Sequence, residues 1–352
     1  MSEAKLTGAR RRVPICVVVL NWNTCDHTIE CLESLLAVDP APEMMILVEN
    51  GSTDGSLATV NEWAVHNRIP HRVVSERPSD WLPERNLVPD GLVIIPSTTN
   101  RGVCGGNNLG IAYAGGDVTR RHVLLLDNDT IVPPDYFGHL ESALALRPDA
   151  GLMSGTVYAW AEPGRVWYAG GRFDPIRGVA RHLFDVPTSP MPVPTEFIAG
   201  CALLISPEVL ATLGGFAECY SPFYFEDAEY AWRAGVAGFS RLYAPRAAIY
   251  HKIGTSHWPP IRNRYLYARH NGYWIRRNLQ GLQQALALSY LAITAVGRVL
   301  VRLLRGQTAM ASAIARGTWT GFFDPIVRPQ WPEPLPDAAG DSGPAAGPAR
   351  RN

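Results

Sequence analysis

The chain has 352 residues, with 32 lysines and arginines, 32 aspartates and glutamates, and 47% hydrophobic residues. This length suits one large domain or two moderate ones, and it can bury a sizeable core without disulfides or structural metals. Because the formal net charge is zero, non-specific binding to nucleic acid through a basic field is disfavoured, and we expect no nucleic-acid partner.

The six cysteines contain no C-x-x-C pair, and their irregular spacing suits neither a zinc site nor a disulfide framework. Several lie in apolar runs, such as Cys16 in ICVVVL, where a reduced cysteine behaves as a small buried hydrophobe. This usage favours a reducing compartment, so we expect a cytoplasmic protein. Residues 1–12 predict a flexible arm, because the apolar stretch that follows, of about eight residues, is too short for a signal peptide.

From residue 13 to residue 146, strand-like and helix-like segments alternate. Short apolar runs predict buried parallel strands, and apolar residues at helical spacing predict the helices between them. This rhythm predicts an α/β fold with an open Rossmann-like sheet, whose ligands bind outside the carboxyl ends of the strands. The predicted strands are residues 13–20, 44–48, 92–96 and 122–126, and the predicted helices are 24–37, 56–66, a segment ending at 114, and 133–146.

The rhythm changes after residue 150. The sequence predicts a strand over residues 196–206, a short helix over 207–213 and an acidic helix over 225–234. The proline-rich, small-residue segment 325–352 predicts a disordered tail.

Residues 278–297 contain no charged side chain, and Arg298, Arg302 and Arg305 follow on one predicted helix face. The strongly apolar part, 285–297, falls short of the ~18 residues of a membrane-spanning helix. We therefore predict an amphipathic helix in the interface of an anionic leaflet, which would place the protein peripherally on the cytoplasmic face of a membrane. Ordinary packing on the catalytic domain is the alternative.

Two kinds of polar loop follow the predicted strands. Asp127-Asn-Asp129 ends an apolar strand, where two carboxylates can converge on a divalent cation, although a solvated turn has the same sequence. The loops 49–55 and 100–108 are rich in glycine and asparagine, so their backbone N–H groups could approach a phosphate. Plain turn chemistry explains such loops equally well.

Two further motifs lie in the second half. Glu226, Asp227 and Glu229 crowd carboxylates near aromatic residues, which suits either a general base with a raised pKa or an acidic helix start. His251 follows in YHKIGTS, and alone it is more typical of an ordinary core or surface histidine. The order and spacing of all four motifs are more specific than any single one.

In that order, the motifs resemble family 2 glycosyltransferases of the GT-A fold, within their bacterial rhamnosyltransferase-like branch. The resemblance covers residues 13–275. The matching segments are VVVLNWNT (17–24), LVENGSTDGS (47–56), NRGVCGGNNLG (100–110), LLLDND (124–129), GCALLI (200–205), LGGF (213–216), FYFEDAEYAWR (223–233) and YHKIGTS (250–256).

The resemblance implies a role for each matching residue. Asp227 would be the catalytic base with Glu226 in support, and Asp127, Asp129 and His251 would hold Mg²⁺ or Mn²⁺. Glu49 stands where the family usually carries aspartate, and Cys104 stands where a small residue is usual. The residues implied to bind the donor are Asn21, Glu49, Asp54, Asn100, Gly102, Asn107 and Asp127.

The resemblance further implies an inverting, metal-dependent enzyme. It would move a sugar, such as rhamnose or another hexose or deoxyhexose, from a nucleoside-diphosphate sugar to a hydroxyl of a glycan, lipid-linked or small-molecule acceptor. Residues 13–130 would form the nucleotide-sugar half, 131–275 the acceptor half and 276–324 the C-terminal amphipathic helices. Two alternatives stay open: a metal-dependent phosphoester hydrolase, which commonly needs two metals, and a non-catalytic sugar-nucleotide or glycan-binding protein.

Overall fold

The computed structural model describes residues 10–81, 91–115, 121–254 and 259–327. The predicted arm and tail lie mostly outside these ranges. Eleven of the described strands form one sheet, and two more pair separately as a hairpin. The strands are β1 (Arg12–Asn21), β2 (Ala41–Glu49), β3 (His71–Val73), β4 (Leu92–Pro96), β5 (His122–Asp127), β6 (Thr130–Ile131), β7 (Ala150–Ala159), β8 (Val166–Tyr168), β9 (Gly171–Asp174), β10 (Val179–His182), β11 (Val193–Pro194), β12 (Ala202–Ile205) and β13 (Ser240–His251).

Helices cover the sheet, and the last three of them form a separate layer. The helices are α1 (Cys25–Ala37), α2 (Ser56–His66), α3 (Gly102–Ala114), α4 (Tyr136–Leu146), α5 (Pro207–Leu213), α6 (Glu226–Val236), α7 (Pro260–Asn278), α8 (Gly281–Leu304) and α9 (Thr308–Phe323). This mixed α/β architecture confirms the predicted fold class.

One strand in the middle of the sheet, β12, runs antiparallel to both of its neighbours. Its strand order is β11-β13-β7-β12-β5-β1-β2-β4-β3, with β6 added to β13 and β8 added to β7. Strands β1 to β5 run parallel, whereas β12 is antiparallel to both β5 and β7. The carboxyl ends of β1, β2 and β5 therefore meet at one edge, where Asn21 is opposite Glu49 and Asp127 is opposite Leu20.

Helix α3 lies very close to β1, which fixes its start at this edge. A Cβ atom on Gly106 would lie 2.3 Å from Leu20, and one on Gly110 would lie 2.3 Å from Val18. Any larger side chain would push the helix off the sheet, because a buried core has no spare volume. The two glycines thus bring the loop before α3 against the strand ends.

The predicted elements of the first half are confirmed, with ends that shift by a few residues. The predicted strand 196–206 is wrong in its first half, since only Ala202–Ile205 is a strand. Residues Gly200 and Cys201 form a turn instead, and the backbone of Gly200 bonds to Asp227. Strands β7 and β13 were not predicted.

Helix α8 is longer than the apolar stretch 285–297 from which it was predicted. The uncharged segment 278–297 is not one helix, because α7 ends at Asn278 and α8 begins at Gly281. Helix α8 then continues to Leu304, which makes it long and apolar enough to cross a membrane by length and composition alone. Helix α7 also runs through the predicted boundary between residues 275 and 276, and the division into domains stays a prediction.

Candidate active site

A cavity of about 410 Å³ opens at the edge where the parallel strands end. Polar residues from the strand ends and from the loop before α3 line it, together with three aromatic side chains. The residues that matter for its chemistry are Asn50, Asn100, Gly102, Asp127, Asp129 and His251, with Trp22, Phe223 and Tyr224 as the aromatic wall.

One end of this cavity holds two carboxylates and an imidazole. Asp127 ends β5, Asp129 follows in the turn, and His251 ends β13, which reaches them because β13 pairs with β6. One ligand atom from each of the three lies within 4.8 Å of the others. Nε2 of His251 is 3.1 Å from Oδ1 of Asp129, whereas its buried Nδ1 has no hydrogen-bond partner among the described residues.

The electrostatics of this cluster favour a cation. Burial and the charge of Asp129 raise the pKa of Asp127 to about 7. Burial lowers the pKa of His251, but its hydrogen bond with Asp129 outweighs that effect, so the pKa is raised overall. The site thus combines two crowded carboxylates with an imidazole whose buried Nδ1 has no hydrogen-bond partner among the described residues. Such a set of ligands fits Mg²⁺, which takes oxygen ligands, or Mn²⁺, which takes oxygen ligands and imidazole.

The side chain of Asn50 ties the loop after β2 to the loop before α3. Its Oδ1 accepts from the backbone N–H of Arg101 at 3.0 Å. Its Nδ2 donates to Oδ1 of Asn100 and to the carbonyl of Gly102, both at 3.2 Å. Gly102 has a φ of +68°, and a Cβ there would lie 2.8 Å from the backbone of Pro222, so only glycine fits this contact.

A second network holds the ends of β1 and β5. Nδ2 of Asn128 donates to Oγ1 of Thr24 at 2.7 Å and to Oγ1 of Thr28 at 2.8 Å. Oγ1 of Thr28 in turn donates to Oδ1 of Asn21 at 2.8 Å. The side chain between the two acids of Asp127-Asn-Asp129 therefore anchors their turn to α1, which leaves the carboxylates directed to the cavity.

The structure separates the predicted donor residues into two groups. Asn100, Gly102 and Asp127 line the cavity. Among the described residues, Asn21, Glu49 and Asn107 are buried outside its lining, and Asp54 is exposed. Oε1 of Glu49 accepts from the N–H of Ser52 at 2.9 Å, and Oδ1 of Asp54 accepts from the N–H of Ser56 at 3.0 Å, at the start of α2.

The carboxylates of Glu226 and Asp227 lie in the first turn of α6 and differ in their partners. Oδ2 of Asp227 accepts from the N–H of Gly200 at 3.0 Å, and its Oδ1 accepts from the N–H of Ala228 at 2.7 Å. Burial raises the pKa of Asp227 despite these bonds. Oε2 of Glu226 is buried without a hydrogen-bond partner in the described part of the chain. Burial and the charge of Asp227 raise the pKa of Glu226 well above its usual range, which favours the neutral form of this carboxyl.

The backbone before α6 is strained. Tyr224 and Phe225 have φ values of 80° and 71°, a region that non-glycine residues enter at a cost of about 1–3 kcal/mol each. This turn places Tyr224 in the cavity wall and directs Glu226 and Asp227 toward Asp127, whose pKa the charge of Asp227 helps to raise.

Sequence reasoning missed several residues around the cavity. Asn50, Asn128, Thr24 and Tyr224 were in quoted motifs but received no role. The first three are small polar residues, which are common in turns, and their network becomes visible only when the strand ends come together. For Tyr224 the available signal was its place in FYFED, directly before the paired acids.

Comparison with known proteins places this geometry in a family. Residues 16–199 match the family model described as glycosyl transferase family 2. The chain belongs to glycosyl transferase family 2. A second model, described as glycosyl transferase family group 2, matches residues 122–320. The protein is therefore a glycosyltransferase, as the motifs predicted.

Curated relatives support the rhamnosyltransferase-like branch. This family 2 glycosyltransferase is 24% identical over 298 residues to N-acetylglucosaminyl-diphospho-decaprenol L-rhamnosyltransferase of Mycobacterium tuberculosis, in strains H37Rv and CDC 1551. The match covers 75% of this chain and 89% of the relative.

Solved structures confirm the GT-A fold. A mannosyltransferase from Pyrobaculum calidifontis, solved with GDP-Man and Mn²⁺, superposes with a TM-score of 0.52 at 18% identity, over 89% of this chain and 88% of its own. GalNAc-T7 with UDP, GalNAc and Mn²⁺ gives a TM-score of 0.51 at 15% identity, over 76% of this chain and 49% of its own. At such low identities, the likeness concerns the fold alone.

Proposed function

We propose that this enzyme is an inverting, metal-dependent transferase that moves a sugar from a nucleoside-diphosphate sugar to a hydroxyl of a lipid-linked acceptor. The observation that carries the proposal is the cluster of Asp127, Asp129 and His251 in a cavity, together with the half-buried carboxyls of Glu226 and Asp227, since the charge of Asp227 acts on Asp127. This arrangement provides a cation site for a diphosphate and a carboxylate for an acceptor in one cleft.

The residues at the metal cluster would bind the cation and the donor diphosphate together. When bound there, a divalent cation supplies a Lewis acid that neutralises the charge on the diphosphate oxygens. Asp127 and Asp129 orient the site, and the networks of Asn50 and Asn128 hold the two loops around it. Asn100 and Gly102 would contact the donor from the loop before α3.

Asp227 would accept the proton of the acceptor hydroxyl. As that proton moves to the carboxylate, the hydroxyl oxygen bonds to the anomeric carbon and the bond from this carbon to the diphosphate oxygen breaks. The nucleoside diphosphate leaves from the opposite face, so the anomeric configuration inverts. Burial raises the pKa of both carboxyls, and the two backbone N–H groups that donate to Asp227 favour its ionised form over that of Glu226, whose Oε2 has no hydrogen-bond partner among the described residues.

The substrate classes follow from the relatives. The mycobacterial relative is named for rhamnose transfer to a sugar on diphospho-decaprenol, and the Pyrobaculum structure contains GDP-Man. We therefore propose a hexose or deoxyhexose donor, rhamnose among them, and an acceptor sugar carried on a polyprenyl diphosphate.

A lipid-linked acceptor requires that the enzyme approach a membrane. Helix α8 exposes a row of large apolar side chains, and Trp319 and Phe323 of α9 are exposed as well. This surface suits peripheral attachment to the cytoplasmic face of a membrane. The row comprises Leu282, Leu286, Ile293, Val296 and Leu300.

The test of the proposed function is a donor panel. Release of nucleoside diphosphate is measured with Mg²⁺, with Mn²⁺ and with EDTA, for the wild type and for Asp129→Ala. We expect turnover of one donor class that EDTA and Asp129→Ala both abolish. Full activity of Asp129→Ala in EDTA would disprove metal dependence.

Flotation with anionic liposomes tests the membrane contact. The wild type should float with the liposomes, and the double variant Ile293→Glu with Val296→Glu should not.

A further inference from the structure

A groove of about 450 Å³ lies between α7, α8 and α9, outside the cavity described above. Apolar side chains form most of its walls, and three arginines project into it. Arg264 comes from α7, and Arg298 and Arg302 come from α8. Two of the three arginines predicted to share a face of α8, Arg298 and Arg302, therefore line this groove, whereas Arg305 is exposed outside its lining.

Helix α8 carries its groove-lining arginines and its exposed apolar side chains on different faces. Its arginines lie on the side that also carries the buried Ala287, Leu291 and Ala295, which pack against the neighbouring helices. The exposed apolar row lies on the other side of the helix. Arg264 and Arg298 are exposed and Arg302 is partly exposed, so an anion that enters the groove from solvent can reach all three guanidinium groups.

The described residues supply no carboxylate partner for two of these arginines. Neither Arg264 nor Arg298 forms an ion pair with a carboxylate of the described ranges. Residues 230–323 contain 13 lysines and arginines and no aspartate or glutamate, whereas residues 1–229 contain 28 acidic and 16 basic residues. Within that range, residues 260–323, which contain α7, α8 and α9, carry nine arginines and no acidic residue, in a chain whose net charge is zero.

The groove lies next to the active site, and a contact between two aromatic rings connects them. Tyr267 lines the groove, and its ring centroid is 5.7 Å from that of Tyr224, which lines the donor cavity. Tyr267 also contacts Phe225, the residue that precedes Glu226. A ligand in the groove would therefore lie beside the turn that carries the catalytic carboxylates.

We propose that this arginine groove binds the diphosphate of the lipid-linked acceptor. The inference rests on the proposed function, and it adds the site that positions the acceptor. Arginine suits phosphate oxygens because its planar fork forms charge-assisted bonds. The sugar beyond the diphosphate would extend past Tyr267 toward Asp227, while the exposed apolar row of α8 would keep the lipid in the bilayer.

Binding of farnesyl diphosphate to the full-length protein tests the groove. Calorimetry is run in EDTA, so that the metal cluster does not retain the diphosphate. We expect Arg264→Gln and Arg298→Gln each to weaken binding about tenfold or more, because each removes a charge-assisted contact. Arg316→Gln, an exposed arginine on α9 outside the groove, is the matched control and should bind as the wild type does. Unchanged binding in both groove variants would overturn the proposal.

Further measurements distinguish a diphosphate site from a site for the lipid chain or for a lipid headgroup. Farnesol, which has no phosphate, should bind the wild type and the groove variants alike. If the variants lose binding to phosphatidylglycerol vesicles but retain farnesyl diphosphate, the groove binds a lipid headgroup and the proposal fails. In turnover, the groove variants should raise KM for a polyprenyl-diphosphate sugar and leave kcat and the donor KM unchanged. Absence of donor turnover by the wild type would instead count against the proposed function.

Discussion

The two sides of the active-site cleft hold their polar groups in opposite ways. On the donor side, the amides of Asn50 and Asn128 each bond to two or more partners, so the strand ends are fixed before any ligand arrives. On the acceptor side, Tyr224 and Phe225 are strained and Oε2 of Glu226 has no partner among the described residues. A satisfied network makes a rigid template, whereas strain and unused hydrogen-bonding capacity mark the place where chemistry occurs.

The largest expected effect is on the acceptor side. Asp227→Asn keeps the volume of the side chain but cannot accept a proton, so kcat should fall by about 10²–10⁴. Donor affinity should change little, because Asp227 does not line the donor cavity. Steady-state kinetics with titration of the nucleoside diphosphate measures both quantities.

Glu226→Gln is the matched control for this change. Glutamine resembles the neutral form of Glu226, which burial favours, so the effect of this change on kcat should be much smaller. A severe loss in Glu226→Gln with a mild one in Asp227→Asn would exchange the two roles.

A smaller effect is expected on the donor side. Asn50→Ala removes three hydrogen bonds between two loops, and about 1–3 kcal/mol of local stabilisation should be lost. The donor KM should rise about tenfold with a smaller change in kcat, since the template loosens while the base stays in place.

Asn67→Ala serves as the comparison for this variant. Asn67 is exposed after α2 and bonds only locally, to the carbonyl of Trp63. The Asn67→Ala variant should leave the donor KM unchanged. A change in kcat without one in KM for Asn50→Ala would contradict a purely donor-side template.

The smallest effect concerns Glu76, which supports the loop before α3 through Arg101. Burial alone would raise the pKa of Glu76, but hydrogen bonds from Arg101, Thr98 and Ser97 lower it to about 2. A carboxyl whose pKa is lower in the folded state stabilises the fold above its unfolded pKa, near 4.5, and loses this contribution as the pH falls toward 2.

Glu76→Gln should therefore lower the free energy of unfolding by about 1–2 kcal/mol at pH 7 and by less at pH 3.5. Urea unfolding at the two pH values measures the difference. Glu62→Gln, on the exposed surface of α2, should show no such dependence. An equal loss for Glu76→Gln at both pH values would mean that its ionisation does not matter.

The sequence predicted the donor side of the fold better than the rest. Parallel strands buried on both faces are continuous apolar runs, so β1, β2, β4 and β5 were recognised. Strand β13 was missed because Pro245, Arg241 and Arg246 interrupt its pattern, and its pairing with β7 shifts register between Ala244 and Ala248.

Sequence patterns were equally limited in predicting how the site residues come together. Sequence spacing alone could not bring His251 to Asp129, since the two residues meet through the pairing of β13 with β6, and only the resemblance to the family suggested it. Helical periodicity correctly predicted that Arg298 and Arg302 share a face. It could not show which way that face turns, because the orientation depends on packing against α7 and α9.

The uneven distribution of charge between residues 1–229 and 230–323 makes the neutral molecule a strong electric dipole. Near an anionic surface, such a body experiences little net pull but a definite torque, and this turning force weakens as salt shortens the Debye length. Rotation would present the α7–α9 layer to the surface and hold the more acidic residues 1–229 away from it. Encounters would then begin with the arginine groove already facing the lipid, whichever way the protein arrived.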